Sequence, residues 1–355
     1  MKIRAFITHK KAEKFADCQD RFGVNADTKS LAVSDGMGAS WQQKIWAQIL
    51  VEEFTKSKDW LPTSESIKPL CSLWRKKVEE SIEHLKETNA PQNIIFRNER
   101  SLAEGRSAGA TFVGIRFLSN EWTGSVLGDS CLIDWNGKEA IFYTSQDGDE
   151  FDSYPDYFDS DENKTGKGTP LIINGTLTKD THLLLVSDPF SDFLLEKKKQ
   201  DSIAEYINQL LSISNHEDFE NLVDDWRKAG MHNDDTTLVI VRENGKDAFS
   251  LENIDDINDF VEKEKEEDNK EIVIPKTEEV MSAEKNGSSE DEVIGNGYSN
   301  LNLVQPSLFI EEFLIEYRSI LEKKCKTLSN LKFKATQNAA KKALNRLLEK
   351  YSIIK

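Results

Sequence analysis

A layered α+β sandwich is the fold the sequence predicts. Three observations carry it: short apolar stretches of strand character, helix-period segments grouped in pairs between them, and no regular βαβ alternation. In chain order, residues 3–8 and 30–34 read as strands. Segment 40–56 then places Ile45, Trp46, Ile49, Leu50 and Phe54 on one helical face, and 64–87 does the same with Ile67, Leu70, Trp74, Val78, Ile82 and Leu85. Strands follow at 111–117, 121–127, 131–135, 140–144, 170–175 and 182–187. A second helical pair, 201–213 and 217–228, precedes a last strand at 236–242. Trp41, Trp46, Trp74 and Trp226 fall on helix faces and are most simply core.

The chain has 355 residues, 38% apolar and 31% charged, enough for one large domain or two ordinary ones. Its net charge of -17 excludes a nucleic-acid binder, which needs clustered lysine and arginine, and disfavours an anionic membrane surface. No apolar run approaches the ~20 residues of a membrane span, and the first residues read as a strand rather than a signal peptide. Cys18, Cys71, Cys131 and Cys325 are scattered without a Cys-x-x-Cys pair, so a reduced, cytoplasmic protein without disulfides or a zinc site is expected. His9, His84, His182, His216 and His232 show no metal spacing.

Charge divides the chain. Residues 251–304 hold 16 acidic against 5 basic side chains and few aromatics, which reads as a disordered acidic linker with room for a short helix over 255–265. Residues 305–355 hold 11 basic against 5 acidic side chains and apolar positions at helical spacing, from Ile310 to Tyr351. They read as amphipathic helices suited to docking, a partner or self-association. The expected organisation is a domain over 1–250, a linker over 251–304 and a helical tail over 305–355.

Chemistry is concentrated in aspartates at strand ends: Asp20, Asp35 before Gly36, Asp129 after Gly128, Asp188 and Asp234. Taken singly, each is an ordinary turn former or helix cap. Carboxylates delivered from several strand tips, however, suit hard divalent ions such as magnesium or manganese, which want oxygen ligands. Gly36 would let an ion or its water approach the backbone. The acidic stretch 159–163 lacks the glycine and closing glutamate of a calcium loop.

In their order these segments resemble the motifs of the metal-dependent PPM (type 2C) Ser/Thr protein phosphatases, bacterial members above all. Asp35-Gly-Met-Gly38 resembles the Asp-Gly-x-Gly motif. Arg106-Ser-Ala-Gly-Ala-Thr-Phe-Val-Gly and Gly128-Asp-Ser130 resemble the next two strands, and Tyr143-Thr-Ser-Gln-Asp147 the Thr-x-Asp segment. Leu185-Val-Ser-Asp188 resembles the Asp-Gly strand end, and Asp234-Asp-Thr-Thr the Asp-Asn-x-Thr motif. The likeness spans about residues 3–243.

The resemblance implies two antiparallel sheets flanked by helix pairs, and a centre of two manganese or magnesium ions with a third, weaker site. Asp35 would bridge the two ions with the Gly36 carbonyl on one; Asp188 and Asp234 would hold the other. Asp20 would be a ligand or an acceptor for metal-bound water, and Asp129 would serve the third site. Phosphorylated protein substrates and an opposing Ser/Thr kinase follow. The chain departs from the pattern at Gln19, Met37, Gly148 and Pro189, and at Phe15 and Ala16 where an arginine often grips phosphate; Lys14, Lys11 or Lys10 would substitute. A second reading is a weakly active phosphatase-like domain that binds phosphoproteins and docks partners through its tail.

Overall fold

Alternation of apolar side chains along the strands assigns each face of two sheets its own neighbour. The computed structural model describes residues 1–146, 155–164, 166–244 and 248–271. Along the chain these form β1 (Lys2–Thr8), β2 (Arg21–Asn25), β3 (Ser30–Ser34), α1 (Gln43–Lys56), α2 (Lys68–Glu87) and α3 (Gln92–Ala103). Next come β4 (Gly109–Ala110), β5 (Phe112–Leu118), β6 (Glu121–Leu127), β7 (Cys131–Trp135), β8 (Ala140–Tyr143), β9 (Phe158–Asp159), β10 (Leu171–Thr176) and β11 (His182–Val186). The series ends with α4 (Asp188–Lys199), α5 (Ile203–Ser212), α6 (His216–Lys228), β12 (Thr236–Arg242), β13 (Ser250–Ile254) and α7 (Ile257–Glu271).

The strands build a six-stranded sheet, β13-β1-β12-β11-β7-β8, and a five-stranded sheet, β10-β6-β5-β3-β2; β4 and β9 pair separately. All pairings are antiparallel except β1 with β13. Ile3, Ala5, Leu183, Leu185, Val239 and Val241 point inward and meet Leu31, Val33, Val113 and Ile115 of the other sheet. The alternate residues Phe6, Leu184, Val186, Leu238 and Ile240 point outward under α4, α5 and α6. Ala32, Phe112 and Leu127 face Trp46, Leu50 and Phe54 of α1, with α2 behind. The α+β sandwich of two sheets flanked by helices is therefore the observed fold. Among the described residues, no helix is long and apolar enough to cross a membrane.

Several features differ from the sequence expectation, among them the unexpected helices α3 and α4 and the short β4–β9 pair. β2 was not expected, because all five of its residues are only half-buried and the apolar signal is weak. Asp188-Pro189 opens α4 rather than a turn: Pro189 stands in the first helical turn, where its missing N–H and fixed φ carry no penalty. The domain boundary expected at 250 falls at the start of an element. Leu251 and its neighbours pair in parallel with β1, and Asp255 accepts a hydrogen bond from the Ile7 N–H at 3.0 Å. Acidic composition hides this segment because a parallel edge strand and one helix need little apolar surface. The rest of the expected linker, the whole 305–355 tail, Cys325, Asp147 and Gly148 lie outside the described residues.

His216 ties this extension to the domain. Its Nδ1 lies 2.8 Å from Asp255 and its Nε2 3.3 Å from Glu220, and its ring stacks on Phe260 at 4.2 Å. Burial opposes its charge, yet the hydrogen bonds and charges of Asp255 and Glu220 prevail and push it up to about 9. The raised value makes the contribution full below the free imidazole value of 6.5 and lost as pH climbs through about 9. His216→Ala is expected to cost ~1–3 kcal/mol near pH 6 by denaturant titration, with the difference from wild type narrowing by about pH 10 to the part lost with the ring's packing on Phe260. A pH-independent difference would refute the linkage.

Candidate metal centre

Antiparallel pairing brings one end of each functional strand to the same rim. Arg21 opposes Ser34, Val186 opposes both Cys131 and Leu238, and Thr8 opposes Thr236. Asp20, Asp35, Asp129, Asp188 and Asp234 are each one or two residues beyond those pairs, so topology alone gathers them. A cleft of ≈ 560 Å³ opens there, lined by Asp35, Gly36, Asp129, Asp188 and Asp234 with Lys10, Gln19, Asp192 and His232.

Hydroxyls hold these tips. The Ser34 Oγ donates to the Thr111 carbonyl at 2.6 Å, and the Asp35 N–H donates to Thr111 Oγ1, itself 2.7 Å from Ser130 Oγ. Ser191 Oγ donates to the Asp129 carbonyl at 2.6 Å. Gly128, at φ 100°, turns the chain into Asp129 where an added Cβ would lie 2.6 Å from the Asp156 carbonyl oxygen. At Gly36 a Cβ would lie 2.9 Å from Gln43 Cγ, so packing against α1 already demands glycine there, whatever else its carbonyl does.

Asp20 sits a layer deeper. It is fully buried, does not line the cleft, accepts from Thr237 Oγ1 at 2.7 Å and adjoins the carboxyl of Asp35. Burial, then the charge of Asp235, pushes it up to about 7, against the hydrogen bonds of Thr237, Ser187 and Asp35. Asp129 is likewise pushed up to about 7, chiefly by burial, with backbone hydrogen bonds opposing and Asp192 and Asp156 adding repulsion. Asp35 and Asp188 are raised well above the carboxylate range by burial and then by their acidic neighbours, Asp188 first for Asp35 and Asp129 first for Asp188.

This charge needs a counterion that the protein supplies sparingly. Among the described lining residues, Lys10 is the one lysine or arginine, its Nζ 3.0 Å from Asp234 Oδ1. Asp20 Oδ1 and Asp129 Oδ1 are buried without a hydrogen-bond partner. Orphaned carboxylate oxygens in an all-oxygen donor set fit hard divalent cations, which would reverse the repulsion. The cage is not closed: among the described residues, no three His, Cys, Asp or Glu side chains form a group that could hold an ion as they stand. Asp234, turned toward Lys10 and the Asp235 N–H, is one carboxylate that would have to swing.

Two expected residues fall elsewhere. Lys14 pairs with Asp268 at 2.5 Å and Lys11 approaches Asp224 at 4.0 Å; neither lines the cleft, and Lys10 stands in their place. The loop turns at residues 10–13 and 14–17, which carries both ammonium groups outward, and spacing alone does not show this. Sequence reasoning also missed Asp192, four residues past Asp188 and so on the same face of α4, a signal visible once the helix is recognised. Asp235 is buried and takes the Lys10 and Gln19 N–H groups at 2.8 and 2.6 Å, pinning the loop rather than facing the cleft.

The sequence model of the Protein phosphatase 2C family matches residues 9–226, which take in the cleft residues from Lys10 to Asp192 and stop short of His232 and Asp234. The chain belongs to that family. It is by class a protein-serine/threonine phosphatase. No curated protein sequence matches it significantly. Among solved structures, the chain is similar to the serine/threonine phosphatase Stp1 from Staphylococcus aureus, at 13% identity and TM-score 0.44, covering 68% of this chain and 95% of that one. It is also similar to the Mycobacterium tuberculosis serine/threonine phosphatase PstP/Ppp, at 15% identity and TM-score 0.41, over 68% and 98%. PppA of Pseudomonas aeruginosa gives 15% and 0.42, over 68% and 96%. Family members generally depend on manganese or magnesium.

Repulsion within the cleft predicts opposite effects of neutralisation with and without metal. Asp35→Asn and Asp188→Asn should each raise the melting temperature of the chelator-treated 2C phosphatase, by the equivalent of ~1–2 kcal/mol. Both should lose the further rise that millimolar manganese gives wild type. Differential scanning calorimetry with EDTA and with manganese reads both; an unchanged manganese shift in either variant would remove that residue from the ligand set.

Proposed function

We propose that the cleft hydrolyses phosphoserine and phosphothreonine in protein substrates, with divalent manganese or magnesium held by its carboxylates. Asp35 with the Gly36 carbonyl, Asp188 and Asp234 are the residues to hold two ions, and Asp129 with Asp192 a third, weaker one. Bound there, the ions would supply an acidified water for direct attack on phosphorus, without a phosphoenzyme, and neutralise the phosphoryl oxygens. The observation that carries this reading is the shared cleft of raised carboxylates with a single lysine, with an orphaned oxygen on Asp129 in it and another on Asp20 behind it.

The chain's own residues do the rest. Asp20, behind Asp35 and fixed by Thr237, orients Asp35 through the hydrogen bond between their carboxyls. Lys10, here paired with Asp234, would be free to grip the substrate phosphate if that carboxylate held an ion, and would so take the part of the arginine that the loop lacks. Lysine is a point charge rather than a bidentate fork, which lowers the grip without removing it. The absence of arginine from the described lining favours, as second reading, a slow enzyme that chiefly binds phosphoproteins.

Manganese-dependent release of phosphate from p-nitrophenyl phosphate and a phosphothreonine peptide decides between them. Turnover in wild type, abolished in Asp35→Asn, is expected, and Lys10→Ala should raise KM for both substrates about tenfold. Folded wild type that binds the phosphopeptide without turning it over would establish the binding reading instead.

A further inference from the structure

The loop that carries Lys10 is held from both sides. On the cleft side, Asp235 takes the N–H groups of Lys10 and Gln19, and the Lys11 N–H donates to Asn233 Oδ1 at 2.8 Å. On the far side stands α7. The Phe15 N–H donates to both carboxylate oxygens of Glu264 at 3.1 Å, and the Phe15 ring stacks on Phe260 at 4.6 Å and 25°. Lys14 pairs with Asp268 at 2.5 Å, and His9 packs its ring edgewise on Phe15 at 4.6 Å. Phe260, Glu264 and Asp268 are four residues apart, so one face of α7 makes every contact.

A helix that served the core would bury something. None of the described α7 side chains is fully buried; Ile257, Phe260, Val261 and Glu264 are half-covered and the others exposed. The hydrogen bonds, ion pair and ring contacts of α7 go to the loop and His216, and Asp255, just ahead of the helix, accepts from the Ile7 N–H of β1. The helix has little apolar stake of its own, and its one aromatic anchor is spent on Phe15 and His216. Such an element affects function through what it restrains.

We infer that Glu264 and Phe260 are positioning residues for Lys10: α7 straps the 9–19 loop so that the Lys10 ammonium stands at the phosphate side of the cleft. The inference rests on the reading of Lys10 as the phosphate grip. A flexible four-carbon stem places its charge well only if its base is fixed, and the loop on its own has two turns and no regular structure to fix it.

The test is a double-mutant cycle on the full chain with manganese and p-nitrophenyl phosphate. Glu264→Ala should raise KM about fivefold with kcat within twofold, a coupling of the size packed networks transmit. Glu264→Gln, which keeps one acceptor for the Phe15 N–H, should recover most of the loss. In a Lys10→Ala background, Glu264→Ala should add nothing. Hydrogen exchange of the Lys10–Gln19 amides should be faster in Glu264→Ala, with β12 unchanged. An unchanged KM, an effect that persists in the Lys10→Ala background, or unchanged loop exchange would each overturn the inference. If Lys10→Ala itself leaves KM unchanged, the phosphate-grip reading falls and takes the inference with it. If Lys10→Ala raises KM and Glu264→Ala does not, the inference alone falls.

Discussion

Repulsion among carboxylates at one rim of the sandwich is the constraint around which the structure is arranged. Asp35 is penalised first by burial and then by Asp188, Asp20 and Asp129, and Asp188 by burial and then by Asp129, Asp20 and Asp234. The groups that hold them are neutral: Thr111, Ser130, Ser187, Ser191 and Thr237 supply hydroxyls and add no charge. A rim built with lysines and arginines would be more stable alone and would have nothing left to attract a cation. The unpaired oxygens of Asp20 and Asp129 are the residue of that choice. Buried polar groups normally find partners, and exceptions of this kind mark places where the protein expects something else to supply them.

The sandwich tolerates the strain because its stability is generated away from the rim. Three apolar clusters lie between the sheets and under each helical layer, and their strand residues belong to the same strands whose ends carry the acids. Val186 is wholly buried, and Asp188 follows two residues later at the cleft. Asp35, Asp129, Asp188 and Asp234 are therefore each anchored by a buried strand at their back while their carboxyls meet the open end. Rigid elements set below a site fix side chains better than loops do, which suits ligands that must resist one another.

Legibility in the sequence followed the strength of apolar burial. The strands through Ile3, Val33, Ile115, Leu132, Leu185 and Val239 are buried on both faces and read directly as apolar runs. Asp35, Asp129, Asp188 and Asp234 were legible for the same reason, because each stands within two residues of the end of such a run; Asp20, before the half-buried β2, was not legible in that way. β2 was not, since Arg21, Gly23 and Asn25 interrupt it and it forms an edge. Pro189 stood out only as a departure from the Asp-Gly pattern, because φ restriction signals a turn and a helix start alike until the following residues are placed. The choice among Lys10, Lys11 and Lys14 depended on which way a loop turns, and the strap over 250–271 on a partner more than 200 residues away. Neither leaves a local trace in composition; the short helix allowed over 255–265 is present as α7, but the acidic character of the segment gave no sign that it packs on the domain.

Asp235 shows how the departures compensate one another. The family pattern has asparagine at this place, with one amide oxygen to accept. The carboxylate here has two, and each is used: Oδ1 by the Lys10 N–H at 2.8 Å and Oδ2 by the Gln19 N–H at 2.6 Å. Both ends of the loop are thus fastened to one side chain, which is itself kept in place by its burial. The cost is another acidic group beside Asp20, visible as the second cause that raises Asp20 after burial. A guanidinium would bring its own planar geometry to a phosphate and would need less from the loop beneath it. A lysine brings only charge, so the geometry has to come from the backbone that carries it, and that backbone is held by Asp235 on the cleft side and by Glu264 on the other.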